Sequence, residues 1–245
     1  MSAGLRVETG HATSVGRVRT KQEDRYLDSG RMIAVADGMG GLARGDFAAR
    51  TMIDALAERR MPNRTAQVRT ELKRAINRAG HKIARSSHRG AECGTTVVGA
   101  VLGQGTASPS WLIFHVGDSR MYSYENGDLE CLTRDHSLVQ ELIDAGIISR
   151  EQARYDPRRS IVTRAIGTSV SAEPSFRHVE ATPRILIACS DGISDELTHE
   201  EISDIMRRYE GETLTDTAQA LVDAALESGG RDNATVVLAR AVQRK

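Results

Sequence analysis

Residues 31–41 read RMIAVADGMGG, and this stretch decides the fold because an apolar strand runs directly into the acid Asp37. Residues 112–116, LIFHV, stop just short of Asp118 in the same way. Residues 185–188, ILIA, lead to Asp191. Carboxylates crowded at one sheet edge repel one another, and desolvation raises their pKa values. Divalent cations bound through oxygen ligands remove both problems.

Two further acidic motifs lie near the ends of the sequence. Glu23-Asp24 falls in the first tenth, and Asp232 stands between Arg231 and Asn233 in the last tenth. An acid beside glycine also opens turns well, so any single motif of this kind is better explained as a turn. Several such motifs together predict a site for magnesium or manganese.

The composition excludes several classes of protein. The chain has 245 residues with 33 Lys+Arg and 33 Asp+Glu, so its formal net charge is zero. A neutral chain gives no electrostatic reason to expect nucleic acid or an anionic membrane as a partner. Residues 1–10 lack the apolar core of a signal peptide, and no stretch is long enough to span a bilayer. These features predict a cytoplasmic protein with neither nucleic acid nor membrane as a partner.

Periodicity places the secondary structure along one continuous chain. No linker, low-complexity tract or repeat divides it, so we expect a single domain over residues 1–245. Helices are predicted at 45–60, from Val68 to a stop at Gly90, at 137–145, after the caps Ser149 and Thr198, and from Leu214. Strands are predicted at 31–37, 95–102, 111–116, 121–125, 129–133, 184–190 and 234–239, with Asn126-Gly127 as a hairpin turn. Helix pairs between clusters of hairpin-linked strands favour an α+β fold of antiparallel sheets covered by helices.

An ordered set of short motifs covers essentially the whole chain. They are GRVR (16–19) with QED (22–24), VADGMGG (35–41), GTT (94–96), GDSR (117–120), LTRDHS (132–137), TRAIG (163–167), SDG (190–192) and RDNAT (231–235). The set resembles that of the metal-dependent protein phosphatases (PPM, the type-2C serine/threonine phosphatases), in their bacterial form. The resemblance implies a four-layer α-β-β-α sandwich: two stacked antiparallel sheets flanked by helix pairs, with the metal site at one edge.

The resemblance also implies an activity and its partners. The activity would be hydrolysis of phosphoserine and phosphothreonine in proteins by a metal-activated water, which opposes a bacterial serine/threonine kinase. The cofactors would be two core Mn²⁺ or Mg²⁺ ions, with a weaker third. In two-metal sites the pKa of a bound water falls towards about 7, so no enzyme nucleophile is required. The partners would be phosphoprotein substrates, among them such a kinase and its targets, and we expect a monomer.

The resemblance assigns the core metal ligands residue by residue. Asp37 would bridge two metals through its carboxylate, helped by the backbone carbonyl of Gly38. Asp191 and Asp232 would complete the protein ligands of the first metal.

The remaining assignments concern the other acids and one arginine. Glu23, with Asp24 beside it, would hold the second metal directly or through waters. Asp118 together with Asp191 would supply the weaker third site. Arg19 would bind the substrate phosphate, because its planar guanidinium can donate two parallel hydrogen bonds to phosphate oxygens.

Several residues depart from the family pattern. Gln22 stands where asparagine is common, and the extra methylene could alter how Glu23 and Asp24 are oriented. Met39 replaces the histidine that animal relatives use as a proposed general acid, and Leu42 replaces a histidine of many bacterial members. The group that protonates the leaving oxygen is therefore unassigned. His136 is interpreted as a hydrogen-bonded structural histidine near a helix start.

Residues 145–161 resemble the flap that family members carry beside the active site. The segment contains Arg154, Arg158 and Arg159. These cations fit a solvated charged loop and equally a mobile loop that steers anionic phosphopeptides.

Other enzyme classes fit the sequence less well. The spacing Gly38-x-Gly40-x-x-Ala43 resembles a dinucleotide-binding loop, but Asp37 would then face a pyrophosphate. The chain contains no Gly-Lys pair, which excludes a P-loop enzyme. No arginine stands six positions after any cysteine, which excludes a cysteine-dependent phosphatase. The remaining alternatives share the fold: a pseudophosphatase that serves as a binding or sensor module, and a partner-switching phosphatase.

Overall fold

The computed structural model describes residues 5–40, 44–86 and 93–243. Its strands are β1 Leu5–Ser14, β2 Arg25–Asp28, β3 Met32–Ala36, β4 Gly38–Met39, β5 Gly94–Thr95, β6 Val97–Gln104, β7 Pro109–Val116, β8 Arg120–Glu125, β9 Asp128–Cys131, β10 Ser175–Glu180, β11 Ile185–Cys189 and β12 Ala234–Gln243. Its helices are α1 Gly45–Ala57, α2 Thr65–Ser86, α3 Leu138–Asp144, α4 Arg150–Ala153, α5 Asp191–Ser194, α6 His199–Arg208 and α7 Leu214–Ser228.

Strand β3 shows why the molecule is layered. All five of its residues are buried. Met32, Ala34 and Ala36 belong to a cluster with the helices α1 and α2. Ile33 and Val35 belong to a second cluster between the two sheets. Because successive side chains point to opposite faces of a strand, β3 needs a helical layer on one side and a second sheet on the other.

The two large sheets are antiparallel throughout. Sheet 1 has the strand order β1-β12-β11-β8-β9, and sheet 2 has the order β10-β7-β6-β3-β2. Helices α6 and α7 cover the outer face of sheet 1, and α1 and α2 cover the outer face of sheet 2. The predicted four-layer α-β-β-α sandwich is confirmed.

The strand directions decide where the acidic motifs meet. In sheet 2, β6 lies between β3 and β7 and is antiparallel to both, so β3 and β7 end at the same edge. That edge carries Asp37 after β3, Asp118 after β7 and Asp24 before β2. In sheet 1, the end of β11 lies beside the starts of β8 and β12, which brings Asp191 to the segment that holds Asp232.

Most local predictions from the sequence are confirmed. Asn126 and Gly127 have φ values of 55° and 88° and join Glu125 to its antiparallel partner Asp128, so they form the predicted hairpin turn. The capping boxes that begin at Ser149 and Thr198 both form. Helix α1 stops at Ala57, a turn earlier than expected, and α2 reaches Ser86; the predicted stop at Gly90 and the substitution at Leu42 lie outside the described residues.

Candidate metal centre

Asp37 is held at the end of β3 by its own backbone. The Thr96 N–H donates to the Asp37 carbonyl at 2.9 Å, and the Thr95 hydroxyl donates to the same oxygen at 2.8 Å. The Asp37 N–H donates to the Thr96 hydroxyl at 3.2 Å. Because the main chain carries these bonds, the position of Asp37 does not depend on its carboxylate.

Gly38 lies where three segments of the chain meet. A Cβ at Gly38 would lie 2.1 Å from the backbone oxygen of Gly45, at the start of α1. A Cβ at Gly45 would lie 2.9 Å from the carboxyl carbon of Glu23. Neither glycine can carry a side chain without displacing backbone. The absence of both side chains lets the Glu23 carboxyl approach the turn after Asp37.

Asp24 lies behind this turn and is only 3% exposed. The Ser190 hydroxyl donates to Asp24 Oδ2 at 2.8 Å, while Oδ1 is buried and has no hydrogen-bond partner. Burial, opposed by the hydrogen bond from Ser190 and reinforced by the charges of Asp191 and Asp232, raises the pKa of Asp24 to about 7. Asp24 is thus a costly charge at neutral pH unless a cation lies nearby.

Asp191 is the electrostatic centre of the cluster. Burial first, and then Asp195 and Asp232, raise its pKa to about 6. The pKa values of Asp37 and Asp118 are both raised well above the usual range, by burial and then by the charge of Asp191. These shifts show that the acidic motifs, which are far apart in sequence, share one site.

Asp118 owes its position to His136. The ring nitrogen Nδ1 of His136 accepts a hydrogen bond from the backbone N–H of Gly117 at 3.1 Å. The backbone N–H of His136 donates to the Gly117 carbonyl at 3.0 Å. The other ring nitrogen lies 2.9 Å from the Ser175 hydroxyl. Burial lowers the pKa of His136 to about 3, so the ring is neutral and can accept this bond. His136 is therefore a structural histidine just before α3, as the sequence predicts.

Asn233 joins the first and last parts of the sequence at the site. Its Oδ1 accepts from the Glu23 N–H at 2.7 Å, and its Nδ2 donates to the carbonyls of Val15 and Lys21 at 2.8 and 2.9 Å. The motif RDNAT contains Asn233, but the sequence alone assigns this residue no role. An asparagine next to an acid can fix a loop because its side chain both donates and accepts hydrogen bonds, and this is the signal that could have identified Asn233.

Gln22, which stands where asparagine is common in the family, also orients the Glu23-Asp24 segment. Its Oε1 accepts from the Asp24 N–H at 3.1 Å. Its Nε2 donates to the Thr13 hydroxyl at 2.8 Å and to the Ser14 carbonyl at 3.0 Å. The longer side chain thus fastens the acidic segment to β1.

Arg19 lies at the acidic edge and contacts Asp232. Its Nη2 donates to Asp232 Oδ2 at 2.7 Å, and its side chain is 53% exposed. The other N–H donors of the guanidinium have no partner among the described residues. Asp232 orients the fork while leaving donors available to an anion from solvent.

The arginines of the flap differ in their partners. Arg158 forms a local ion pair with Asp156 at 2.8 Å, whereas the Arg159 Nε lies 3.7 Å from Asp195. Arg154 forms no ion pair with a described residue. Arg158 is therefore the least available of the three for steering an anion.

The acidic cluster fits divalent metal ions by its chemistry. Among residues 5–40, 44–86 and 93–243, no three His, Cys, Asp or Glu side chains already stand in an arrangement that could hold an ion. Yet the donors are all oxygens, and buried oxygens of Asp24 and Asp191 have no partner. Divalent cations would bind these oxygens and compensate their buried negative charge.

A helix-flanked double sheet with an oxygen-rich acidic edge is the arrangement that the resemblance to the metal-dependent phosphatases implies. A model of the Protein phosphatase 2C family matches residues 17–227, and the chain belongs to this family. It thus carries a metal-dependent protein serine/threonine phosphatase domain, as the motifs predict. No helix in the described ranges is both long and apolar enough to cross a membrane.

Known relatives are similar to this chain over most of its length. Serine/threonine protein phosphatase PstP of Mycobacterium tuberculosis is 35% identical over 231 residues, which are 93% of this chain but 43% of PstP. Serine/threonine phosphatase stp of Listeria welshimeri is 35% identical over 239 residues, 92% of each chain. A crystal structure of the PstP catalytic domain in complex with two manganese ions superposes with a TM-score of 0.80 at 29% identity and covers 98% of this chain and 100% of that one.

Proposed function

We propose that the acidic edge hydrolyses phosphoserine and phosphothreonine in phosphoproteins, with two Mn²⁺ or Mg²⁺ ions bound. The observation that carries this proposal is the uncompensated charge of the cluster. Burial and then the charge of Asp191 raise the pKa values of Asp37 and Asp118, and none of these three acids forms an ion pair with a described residue. The manganese complex of the PstP catalytic domain supports the choice of ion.

The geometry supports a specific division of roles among the acids. Asp37 would bridge the ions, and Asp191 and Asp232 would complete the first site. Glu23 and the carbonyl of Gly38 would serve the second site, because their segments touch there. Asp24 is buried and hydrogen-bonded to a hydroxyl, so it would act from behind through water.

The reaction needs both the ions and the chain's own groups. When bound, the ions would lower the pKa of water and neutralise negative charge on the phosphate. Arg19 would bind phosphate oxygens through the donors that Asp232 does not use. Asp118 would supply the weaker third site, held in place by the His136 contacts to Gly117.

The biological setting is proposed from the sequence and the relatives. The substrates would include a bacterial serine/threonine kinase and its targets, and the domain over residues 1–245 would act as a cytoplasmic monomer. Pairing of β1 with β12 along ten residues supports a single domain, because it joins the two ends of the described chain in one sheet. A pseudophosphatase would be expected to lack some core acids, and all of them are present.

Hydrolysis of a phosphothreonine peptide, compared with the same peptide carrying phosphotyrosine, tests the proposal. We expect turnover of the phosphothreonine peptide that requires Mn²⁺ or Mg²⁺ and stops on chelation. Absence of turnover with either ion, or a preference for phosphotyrosine, would contradict the proposed function.

A further inference from the structure

A groove of about 460 Å³ lies between α1 and α2, on the outer layer that covers sheet 2. One wall is a face of α2 that carries Arg78, Lys82 and Arg85. Their spacing of four and three residues places them on a single helical face. The other wall carries Asp54 of α1 and Glu58, the residue that follows α1. The two walls therefore have opposite charge.

The charges of the two walls do not neutralise each other. No N–O distance of 4.0 Å or less joins Arg78, Lys82 or Arg85 to an acid among the described residues. Beside the groove, Glu71 of α2 forms ion pairs with Arg59, which follows α1, and with Arg74 of α2. Arg74 of α2 thus has an acidic partner, whereas the three cations that line the groove have none among the described residues.

The lining favours a peptide as the occupant. Ala55 and Ala79 line the groove, so short side chains leave room for those of a partner. His81 is the one aromatic ring in the lining, so a nucleotide base would find no Phe, Tyr or Trp surface to stack on. The cationic wall attracts acidic side chains, and the acids of α1 orient them towards α2.

The groove is close enough to the acidic edge for one substrate to reach both. Helix α1 begins at Gly45, which packs against Gly38. At 1.5 Å per residue, Thr51 lies about 9 Å along α1 and Glu58 about 20 Å. An extended peptide covers that range with roughly three to six residues.

We propose that the groove between α1 and α2 docks an acidic segment of phosphoprotein substrates while the phosphorylated residue occupies the acidic edge. The proposal rests on the proposed phosphatase function and names a substrate feature that lies outside the phosphorylated residue. Its binding contribution is electrostatic, so it weakens as salt is added.

A binding experiment tests the groove directly. Fluorescence anisotropy measures the affinity of the manganese-loaded chain for a labelled hexaglutamate peptide. The double variant Arg78→Glu with Lys82→Glu should bind about tenfold more weakly, since each exposed ion pair is worth roughly 0.2–1 kcal/mol and its reversal adds repulsion. Arg64→Glu with Arg208→Glu makes the same change in net charge at exposed positions outside the groove and should bind like the wild type. Equal weakening in both double variants would overturn the proposal.

A kinetic experiment tests docking during turnover. Its substrate is a phosphothreonine peptide joined to six glutamates by eight Gly/Ser residues, a linker that spans about 15 Å. The glutamate tail should lower KM about tenfold in the wild type and in the control variant, without changing kcat. The Arg78→Glu, Lys82→Glu variant should lose this difference and still hydrolyse a small aryl phosphate normally. A tail effect that persists in this variant, or is absent in the wild type, would overturn docking.

Failure of docking and failure of the phosphatase proposal give different results. If docking fails, the tail has no groove-dependent effect while the untailed phosphothreonine peptide is still hydrolysed. If the phosphatase proposal fails, that peptide is not hydrolysed, and the hexaglutamate binding experiment still decides whether the groove takes an acidic segment.

Discussion

Asp135 and Asp118 interact electrostatically, yet the chain treats their charges in opposite ways. Arg120 donates three hydrogen bonds to the Asp135 carboxylate, at 2.6–3.1 Å. Asp118 forms no ion pair with a described residue, and its pKa is raised well above the usual range by burial and by neighbouring acids. The comparison teaches that this chain pairs Asp135 with an arginine and leaves the buried acids Asp37, Asp118 and Asp191 without an ion pair among the described residues, although Asp232 contacts the exposed Arg19.

The largest expected effect comes from removing a bridging acid. Asp37→Asn or Asp191→Asn should lower kcat by about a thousandfold or more, because metal stabilisation of the transition state is worth several kcal/mol. Added manganese should not restore activity. The metal-free variants should unfold at the same temperature as the wild type or higher, since each loses a desolvated charge.

Asp135→Asn is the matched control for those variants. It removes the partner of Arg120, so the free energy of unfolding should fall by about 1.5–3 kcal/mol. The measurement is thermal unfolding of the three variants and the wild type in the presence of a chelator. If Asp37→Asn destabilised the metal-free chain as much as Asp135→Asn, both acids would be structural and the contrast would be lost.

Asp118→Ala should have the next largest effect. We expect kcat to fall roughly a hundredfold, since this acid belongs to a weaker site whose charge contributes less than the bridging pair. Calorimetric titration with manganese should still show two tight sites. Loss of a tight site would move Asp118 into the bridging group.

Arg19→Ala should lower kcat/KM by about ten- to a hundredfold, the loss of one charge-assisted hydrogen bond of roughly 1.5–3 kcal/mol. Inorganic phosphate should inhibit the variant more weakly than the wild type, and manganese should bind at least as tightly, because Asp232 loses a competing cation. Arg19→Lys should recover only part of the loss, because an ammonium lacks the bidentate fork. Equal inhibition by phosphate in Arg19→Ala and the wild type would show that another cation holds the substrate.

The smallest expected effect is a pH dependence of stability in the metal-free chain. The pKa of Asp24 is about 7 in the folded state, against 3.8 ordinarily, so between these values the folded state binds more protons than the unfolded state. Its contribution to stability therefore falls as pH rises from about 4 to 7. Asp24→Asn should flatten this dependence in denaturant titrations at pH 5 and 7.5, and an unchanged slope would contradict the shift.

Glu196 should change stability with pH in the direction opposite to Asp24. The hydrogen bond from Arg231 lowers the pKa of Glu196 below 4.5, so its contribution is present above that value and is lost as pH falls. Glu196→Gln should therefore reduce the loss of stability on acidification and leave the slope between pH 5 and 7.5 unchanged. A change in the neutral slope would show that the two acids are coupled.

The sequence predicted the acidic edge well because its signals are local. An apolar run followed by an acid, as before Asp37 and Asp191, reports both a buried strand and where it ends. The order of the strands could not be read in this way, since β12 pairs with β1 across the whole length of the chain. Only the motif resemblance indicated that the two sheets stack.

The strands that were missed carry weak patterns. Strand β1, Leu5–Ser14, contains threonine, glycine and histidine. In strand β10, Ser175–Glu180, only Val179 is buried. The positions of Ser190, Asn233 and His136 as hydrogen-bond partners depended on tertiary contacts. Sequence placed these residues beside the right motifs, but the bonds to Asp24, Glu23 and Gly117 join segments 19 to 210 residues apart.

The central place of β12 has a consequence for synthesis of the protein. A chain emerging from the ribosome exposes β1 and Glu23 early, but sheet 1 lacks the strand between β1 and β11 until β12 appears. Asp232 and the Asn233 bridge to Glu23 arrive with that last strand. Contacts of such long sequence separation are slow to form, because the entropy of loop closure opposes them. A nascent chain therefore lacks the complete acidic edge until β12 is in place.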